Sequence, residues 1–177
     1  MDWVIKRMNM DWVVKRMQKQ SGFTLVEVMV VVAIVGIVTG IAVAGYLSWK
    51  PGYVLRGAVS QVRGDLNRAK MRAFETRRQC RVTFTANSYT IEDGNRTMNS
   101  NQWGNVDANG IFTAGTGWRT YSLNDYPQVT LLNITGSPVV FSPRGTASLQ
   151  SLRVNHPNAG SVDIAVNITG RIKTTWL

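Results

Sequence analysis

Between Val28 and Leu47 the chain carries twenty residues without a charge, and Thr39 and the Tyr46 hydroxyl supply the only polar side-chain groups. About 20 apolar residues rising 1.5 Å each match a hydrocarbon core of about 30 Å. A core helix of a soluble protein keeps a polar face, and this run has none. The segment is therefore expected to cross a membrane, which limits the rest of the chain to one side of it. Glu27, immediately before the run, is the exception. A carboxylate costs about 2.5–3.5 kcal/mol at the centre of a membrane helix and less near its end, so Glu27 is a candidate functional residue.

Five basic residues precede the run (Lys6, Arg7, Lys15, Arg16 and Lys19), so the N-terminal side is expected in the cytoplasm and the remainder across the membrane. A conventional signal peptide does not fit, because the apolar segment is too long and no small-residue cleavage site follows it. Residues 1–9 are nearly repeated in residues 10–18, which offers Met10 as an alternative start with a thirteen-residue leader. One repetition of nine residues is too short to build a solenoid.

The residues joining leader to helix are Gly22-Phe23-Thr24-Leu25-Val26-Glu27. Following a basic leader and preceding an unbroken apolar helix, this stretch resembles the class III signal of type IV pilins and pseudopilins. The resemblance implies cleavage between Gly22 and Phe23 by a prepilin peptidase, methylation of the new Phe23 amine, and a role for Glu27 in assembly. Gly22 suits a protease, because a residue without a side chain lets it approach the backbone closely. After cleavage the Phe23 amine and the Glu27 carboxylate would be four residues apart, and neither charge is stable alone in lipid. The resemblance pairs Glu27 with the amine of a neighbouring subunit; snorkelling to the interface is the plainer alternative.

Removing residues 1–22 takes away five basic and two acidic groups and leaves fifteen and eight, so the net charge falls from +10 to +7. That balance permits attraction to DNA or acidic surfaces without identifying either. Cys80 is the sole cysteine, which excludes an internal disulfide. Between Arg78 and Arg81 in an expected strand, it reads as a small buried hydrophobe.

Helical periodicity continues beyond the membrane. Leu55, Val59, Val62, Leu66, Ala69 and Ala73 recur at intervals of three and four, and most of the arginines lie off that stripe. Pro51-Gly52 is expected to kink or loosen a single helix running roughly from Thr24 to Arg77. The expected organisation is a leader (1–22), a transmembrane helix (23–50), an amphipathic continuation (51–78) and a β-rich domain (79–177). From Cys80 the period becomes two: Arg81–Thr85 and Tyr89–Glu92 read as a hairpin. Asp93–Gly117, rich in Asn, Gly and Thr, reads as a long loop with one short strand near Ile111-Phe112. Further strands are expected at Val129–Ile134, Val139–Phe141, Ser148–Val154, Val162–Asn167 and Arg171–Thr174. Turns fall at Gly136-Ser137-Pro138, Pro143-Arg144-Gly145, Pro157–Gly160 and Thr169-Gly170. A long helix followed by antiparallel strands gives an α+β fold, with the helix covering a sheet.

Phe141-Ser142-Pro143-Arg144-Gly145-Thr146-Ala147, and the last strands turning through Gly170-Arg171-Ile172-Lys173, are similar to the GspH/FimT family of minor pilins and pseudopilins. That resemblance implies a minor subunit of a type IV pilus or a type II secretion pseudopilus that co-assembles with other subunits and helps prime the filament. It also implies an alternative, because some FimT-like proteins capture DNA for natural transformation through a C-terminal Gly-Arg-x-Arg motif. Here Lys173 stands at the second Arg, and an ammonium lacks the planar bidentate fork of a guanidinium. Arg171 and Lys173 share one face of a strand, and Arg144 and Arg153 would join them if the turns bring them near. An edge strand guarded by charges is the structural alternative.

Enzymatic chemistry is not indicated. His156, the only histidine, sits beside Pro157 and reads as an exposed turn residue. No nucleophilic triad, metal-ligand spacing, cofactor motif or small-molecule substrate site is apparent. Glu92, Asp93 and Asp107 read as members of an ordinary polar loop, with contact to a cation as the alternative. Trp49, with Tyr46 and Tyr53, fits an interfacial aromatic belt. Trp103, Trp118 and Trp176 read as packing residues, with stacking on bases as the alternative.

Overall fold

The computed structural model describes residues 22–133 and 138–177, and it divides into two compact units meeting at Gly45-Tyr46. The leader ahead of Gly22 and most of the turn expected at residues 136–138 lie outside the described residues, as does Ile134. One helix, α1 (Leu25–Thr76), supplies the first unit and enters the second. Thr24 caps it: its Oγ1 accepts the Glu27 N–H at 3.2 Å, and its carbonyl accepts the Val28 N–H. Thr24-x-x-Glu27 is thus the sequence of a capping box, of which the threonine half is formed. The first part of α1 holds an eighteen-residue window of mean hydropathy 2.7, none of it buried, which is long and apolar enough to cross a membrane. Helical structure continues through Pro51 and Gly52, in keeping with the single helix expected.

In the second unit the apolar stripe packs on strands. Leu55, Val59, Val62, Leu66, Ala69 and Ala73 are all buried, as the spacing requires, and Ala58 and Asp65 are buried with them. Ten strands follow: β1 (Cys80–Phe84), β2 (Ser88–Gly94), β3 (Trp103–Val106), β4 (Phe112–Ala114), β5 (Arg119–Ser122), β6 (Thr130–Asn133), β7 (Val139–Phe141), β8 (Gln150–His156), β9 (Gly160–Val166) and β10 (Ile172–Trp176). They form two antiparallel sheets. Sheet A runs β4-β3-β2-β1-β7, with β5 also on β2; sheet B runs β10-β9-β8-β6. One edge of β2 is shared: β5 pairs with Ser88–Ile91 and β3 with Asp93-Gly94. The core comprises the inward residues of both sheets, among them Val82, Tyr89, Ile91, Phe141, Val154, Val162 and Ile164, against the helix stripe.

The Asp93–Gly117 segment departs from expectation. The short strand expected near Ile111-Phe112 is β4, but the segment also holds the end of β2 and all of β3. Its pairing rests on backbone contacts that few apolar side chains announce. Gly104 lies so close to the Thr113 carbonyl that a Cβ there would collide with it. The carboxylates expected in that loop are already engaged. Glu92 receives Arg81 at 2.6 Å, Asp93 receives Arg72 at 2.8 Å, and Asp107 Oδ1 accepts the N–H groups of Asn109 and Ile111. His156 is a second correction. It is 4% exposed, at the inward-facing end of β8, because the alternation Leu152, Val154, His156 carries it to the core side.

Candidate functional site

At the start of α1, Phe23 and Glu27 border a shallow recess with Val28, Val31 and Val32. The Glu27 backbone is fixed by the Thr24 cap, whereas its carboxylate has no ion pair or hydrogen bond among the described residues. Gly22 is exposed, and a side chain there would meet nothing within 4 Å.

The C-terminal basic residues are ordered by two turns. In Ser142-Pro143-Arg144-Gly145 the Gly145 N–H donates to the Ser142 carbonyl at 3.0 Å; in Asn167-Ile168-Thr169-Gly170 the Gly170 N–H donates to Asn167 at 2.7 Å. Proline early in the first turn and glycines in the left-handed region at both ends (φ 84° and 67°) give the chemistry such turns need. The turns pack together: Gly145's carbonyl lies against Gly170 where any Cβ would clash, and Lys70 Nζ reaches the Gly170 carbonyl at 3.2 Å. Arg144 is thereby brought to the same end of sheet B as Arg171. Arg171 and Lys173 are both exposed, on the face opposite Ile172. Arg153 is placed differently. It lies on the outer face of β8, directly across from Asp163 on β9, and meets it through two hydrogen bonds of 2.7 and 2.9 Å. Its hydrogen bonds to Arg153 hold the Asp163 carboxyl below its ordinary range.

Sequence reasoning missed the polar contacts inside the domain. Asp65, 1% exposed on the apolar stripe, accepts hydrogen bonds from the Tyr89 hydroxyl and from Arg68 at 2.6 Å. Burial, then the hydrogen bond to Asp65, pushes the Tyr89 phenol well above its usual value. Asp93, fully buried, takes Arg72 from the helix and the Val106 N–H from β3. Arg72 also lies 4.8 Å from the centre of the Trp118 ring, while Arg119 lies 4.9 Å from it. These are structural ties. Among the described residues no group of three His, Cys, Asp or Glu side chains is placed to hold a metal ion.

The model of the prokaryotic N-terminal methylation motif matches residues 17–43, which include Gly22, Phe23 and Glu27. No curated protein matches the sequence significantly. Among solved structures, the type IV minor pilin FimU of Pseudomonas aeruginosa is similar in two crystal forms, each 14% identical over 68% of this chain. One form is matched over 87% of its length with a TM-score of 0.51, the other over 91% with a TM-score of 0.47. At that identity the first match establishes the fold: a long N-terminal helix on antiparallel sheets. The chain thus carries a prokaryotic N-terminal methylation motif at the head of a fold similar to that of this minor pilin.

Proposed function

We propose that the chain is a minor subunit processed by a prepilin peptidase between Gly22 and Phe23, methylated at Phe23, and built with other subunits into a type IV pilus or a type II secretion pseudopilus. Before assembly it is anchored in the inner membrane by α1, with the β-rich unit on the periplasmic side. The observation that carries this reading is Glu27: a carboxylate at the head of an uncharged helix, with no counter-ion among the described residues. A neighbouring subunit's Phe23 amine is a cation of the right depth, and pairing the two removes two uncompensated charges from lipid. Glu27→Ala is expected to leave processing intact and to reduce recovery of the chain in sheared filaments. Undiminished incorporation would refute the pairing. Gly22→Leu is expected to leave the longer, uncleaved chain in the membrane.

A second reading, DNA capture, is supported by one observation, the packing of the Gly145 and Gly170 turns, which sets the backbones of Arg144 and Arg171 close together, with the exposed Lys173 two residues beyond Arg171. Arg153, tied to Asp163, is left out of this cluster. Phosphate contacts need positive charge in reach and little else. In a salt series, Arg171→Ala/Lys173→Ala is expected to weaken duplex binding and to reduce the slope of log K against log salt by about 2. An unchanged slope would mean that the domain is merely basic.

A further inference from the structure

A cavity of about 330 Å³ opens beside α1 where the helix leaves the apolar run. Its walls include Leu47 and Lys50 of the helix, Gln128, and His156 with Asn158 from the turn between β8 and β9. No carboxylate lines it.

His156 is the informative wall. It is 96% buried, and its Nδ1 accepts the Asn158 N–H at 3.1 Å. A ring nitrogen that accepts cannot carry the proton, so in the neutral imidazole the proton lies on Nε2. Nε2 has no hydrogen-bond partner among the described residues. That N–H is not among the fully buried unpartnered polar atoms, so it opens on the cavity, where water or a ligand accepts from it. The partner must accept. Lys50, exposed and without an ion pair among the described residues, adds a positive charge on the helix side, and the amides of Gln128 and Asn158 can donate. Cation, imidazole N–H and amide donors around a space free of acids fit an anionic oxygen cluster such as a phosphate.

The position along the chain selects the phosphate. Leu47 ends the apolar run, and Lys50 stands about 4.5 Å further along the helix at 1.5 Å per residue. Trp49 and Tyr53 stack with centroids 5.2 Å apart and are both more than half exposed, as aromatic rings at a lipid–water boundary are. Lys50 lies over the Tyr46 ring at 5.6 Å. At that depth the abundant phosphates belong to lipid headgroups.

We infer that this cavity is a binding site for the phosphate of an anionic phospholipid, held by Lys50 and the Nε2–H of His156. The inference rests on membrane insertion of α1 and not on filament assembly. Because the chain has one histidine, one ring signal reports on the site. The test follows that signal by NMR in the full chain, in maltoside micelles free of phosphate. Phosphatidylglycerol, uncharged diacylglycerol or inorganic phosphate is titrated in, for the natural chain and for Lys50→Glu. The readout is made on unassembled chain, so a failure of filament incorporation would not move it.

Phosphatidylglycerol is expected to shift the signal saturably and diacylglycerol to leave it in place, with Lys50→Glu weakening binding about tenfold. A further saturable response to inorganic phosphate would support the same phosphate chemistry reached from water. Saturation by inorganic phosphate alone would overturn the lipid source. A signal that phosphatidylglycerol does not shift, or shifts equally in Lys50→Glu, would overturn the site; circular dichroism confirms that the variant, altered at an exposed position, is folded.

Discussion

Replacing Arg72 by leucine isolates the strongest tie between the helix and sheet A. The guanidinium is 15% exposed and reaches Asp93 through contacts of 2.8 and 3.2 Å; it also donates to the Val106 carbonyl and lies against Trp118. Asp93 is fully buried, and its remaining donor is the Val106 N–H at 2.9 Å. Breaking a buried pair from one side leaves an uncompensated charge, at about 3–5 kcal/mol. Leucine restores much of the lost apolar packing, so about 4 kcal/mol is expected in all. With a urea slope of about 2 kcal/mol per molar, the unfolding midpoint should fall by about 2 M. The informative companion is Arg72→Leu/Asp93→Asn. Asparagine still accepts the Val106 N–H and carries no charge, so the double variant should lose only about 1–2 kcal/mol, less than the single one. Urea titration followed by near-ultraviolet circular dichroism, to which Trp118 contributes, measures both. A single variant within about 1 kcal/mol of the natural chain, or a double variant no better than the single, would refute the assignment of Arg72 as the counter-charge of a buried carboxylate.

Cys80 is fully buried, and burial raises its thiol well above the ordinary value, so a thiol reagent at neutral pH should react with it only as the domain unfolds; rapid stoichiometric labelling of folded protein would contradict that. Asp163 has a folded-state pKa below its unfolded one, so its pairing with Arg153 stabilises at neutral pH. That contribution should fade as the pH falls below about 4 and through the depressed value. Asp163→Asn should flatten this acid limb of a stability–pH curve, and an unchanged limb would show the pair to be inert. Gly170→Ala combines a left-handed backbone with a collision at the Gly145 carbonyl. Faster hydrogen exchange of the Ala147 amide, which donates to Ile168 across the two turns, is the expected sign.

The helix was legible because its constraint is periodic and local: six residues at intervals of three and four all face the core. Val139–Phe141 was readable from its branched apolar run, and the first hairpin from its alternation. Strand β4 was readable at Ile111-Phe112, whereas β3 was not, since Asn and Gly give no apolar alternation and its pairing is carried by backbone approach at Gly104. The buried acids escaped for another reason. Asp65 and Asp93 sit in register with apolar neighbours, and only their partners explain them. Tyr89 and Arg72 are 24 and 21 residues away, beyond any local pattern, and only Arg68, three residues on, is a local partner of Asp65. His156 had a signal in the two-residue period of β8, which Pro157 obscured by marking the turn. Of the candidate basic residues, spacing gave Arg171 and Lys173 one face, whereas the approach of Arg144 depends on two turns meeting, and the loss of Arg153 to Asp163 on the register of β8 with β9.

The distribution of partners separates two groups of basic residues. Around sheet A the arginines of the helix, of the turn after it and of β1 are answered: Arg72 by Asp93 and Trp118, Arg78 by the Asn95 carbonyl, Arg81 by Glu92 and by Trp103 at 4.5 Å. A guanidinium so held stiffens the fold and has little left for a phosphate, since a new contact must first break an existing one. At the Gly145–Gly170 end of sheet B, Arg144, Arg171 and Lys173 form no ion pair among the described residues. The same net charge therefore has two uses in one domain, cohesion around sheet A and at the Arg153–Asp163 pair, and unpaired positive charge at the Gly145–Gly170 turns. An experiment that reverses charges at random over the surface would confuse them: substitutions on sheet A should register first as lost stability, and those at Arg171 and Lys173 as altered salt dependence with stability unchanged.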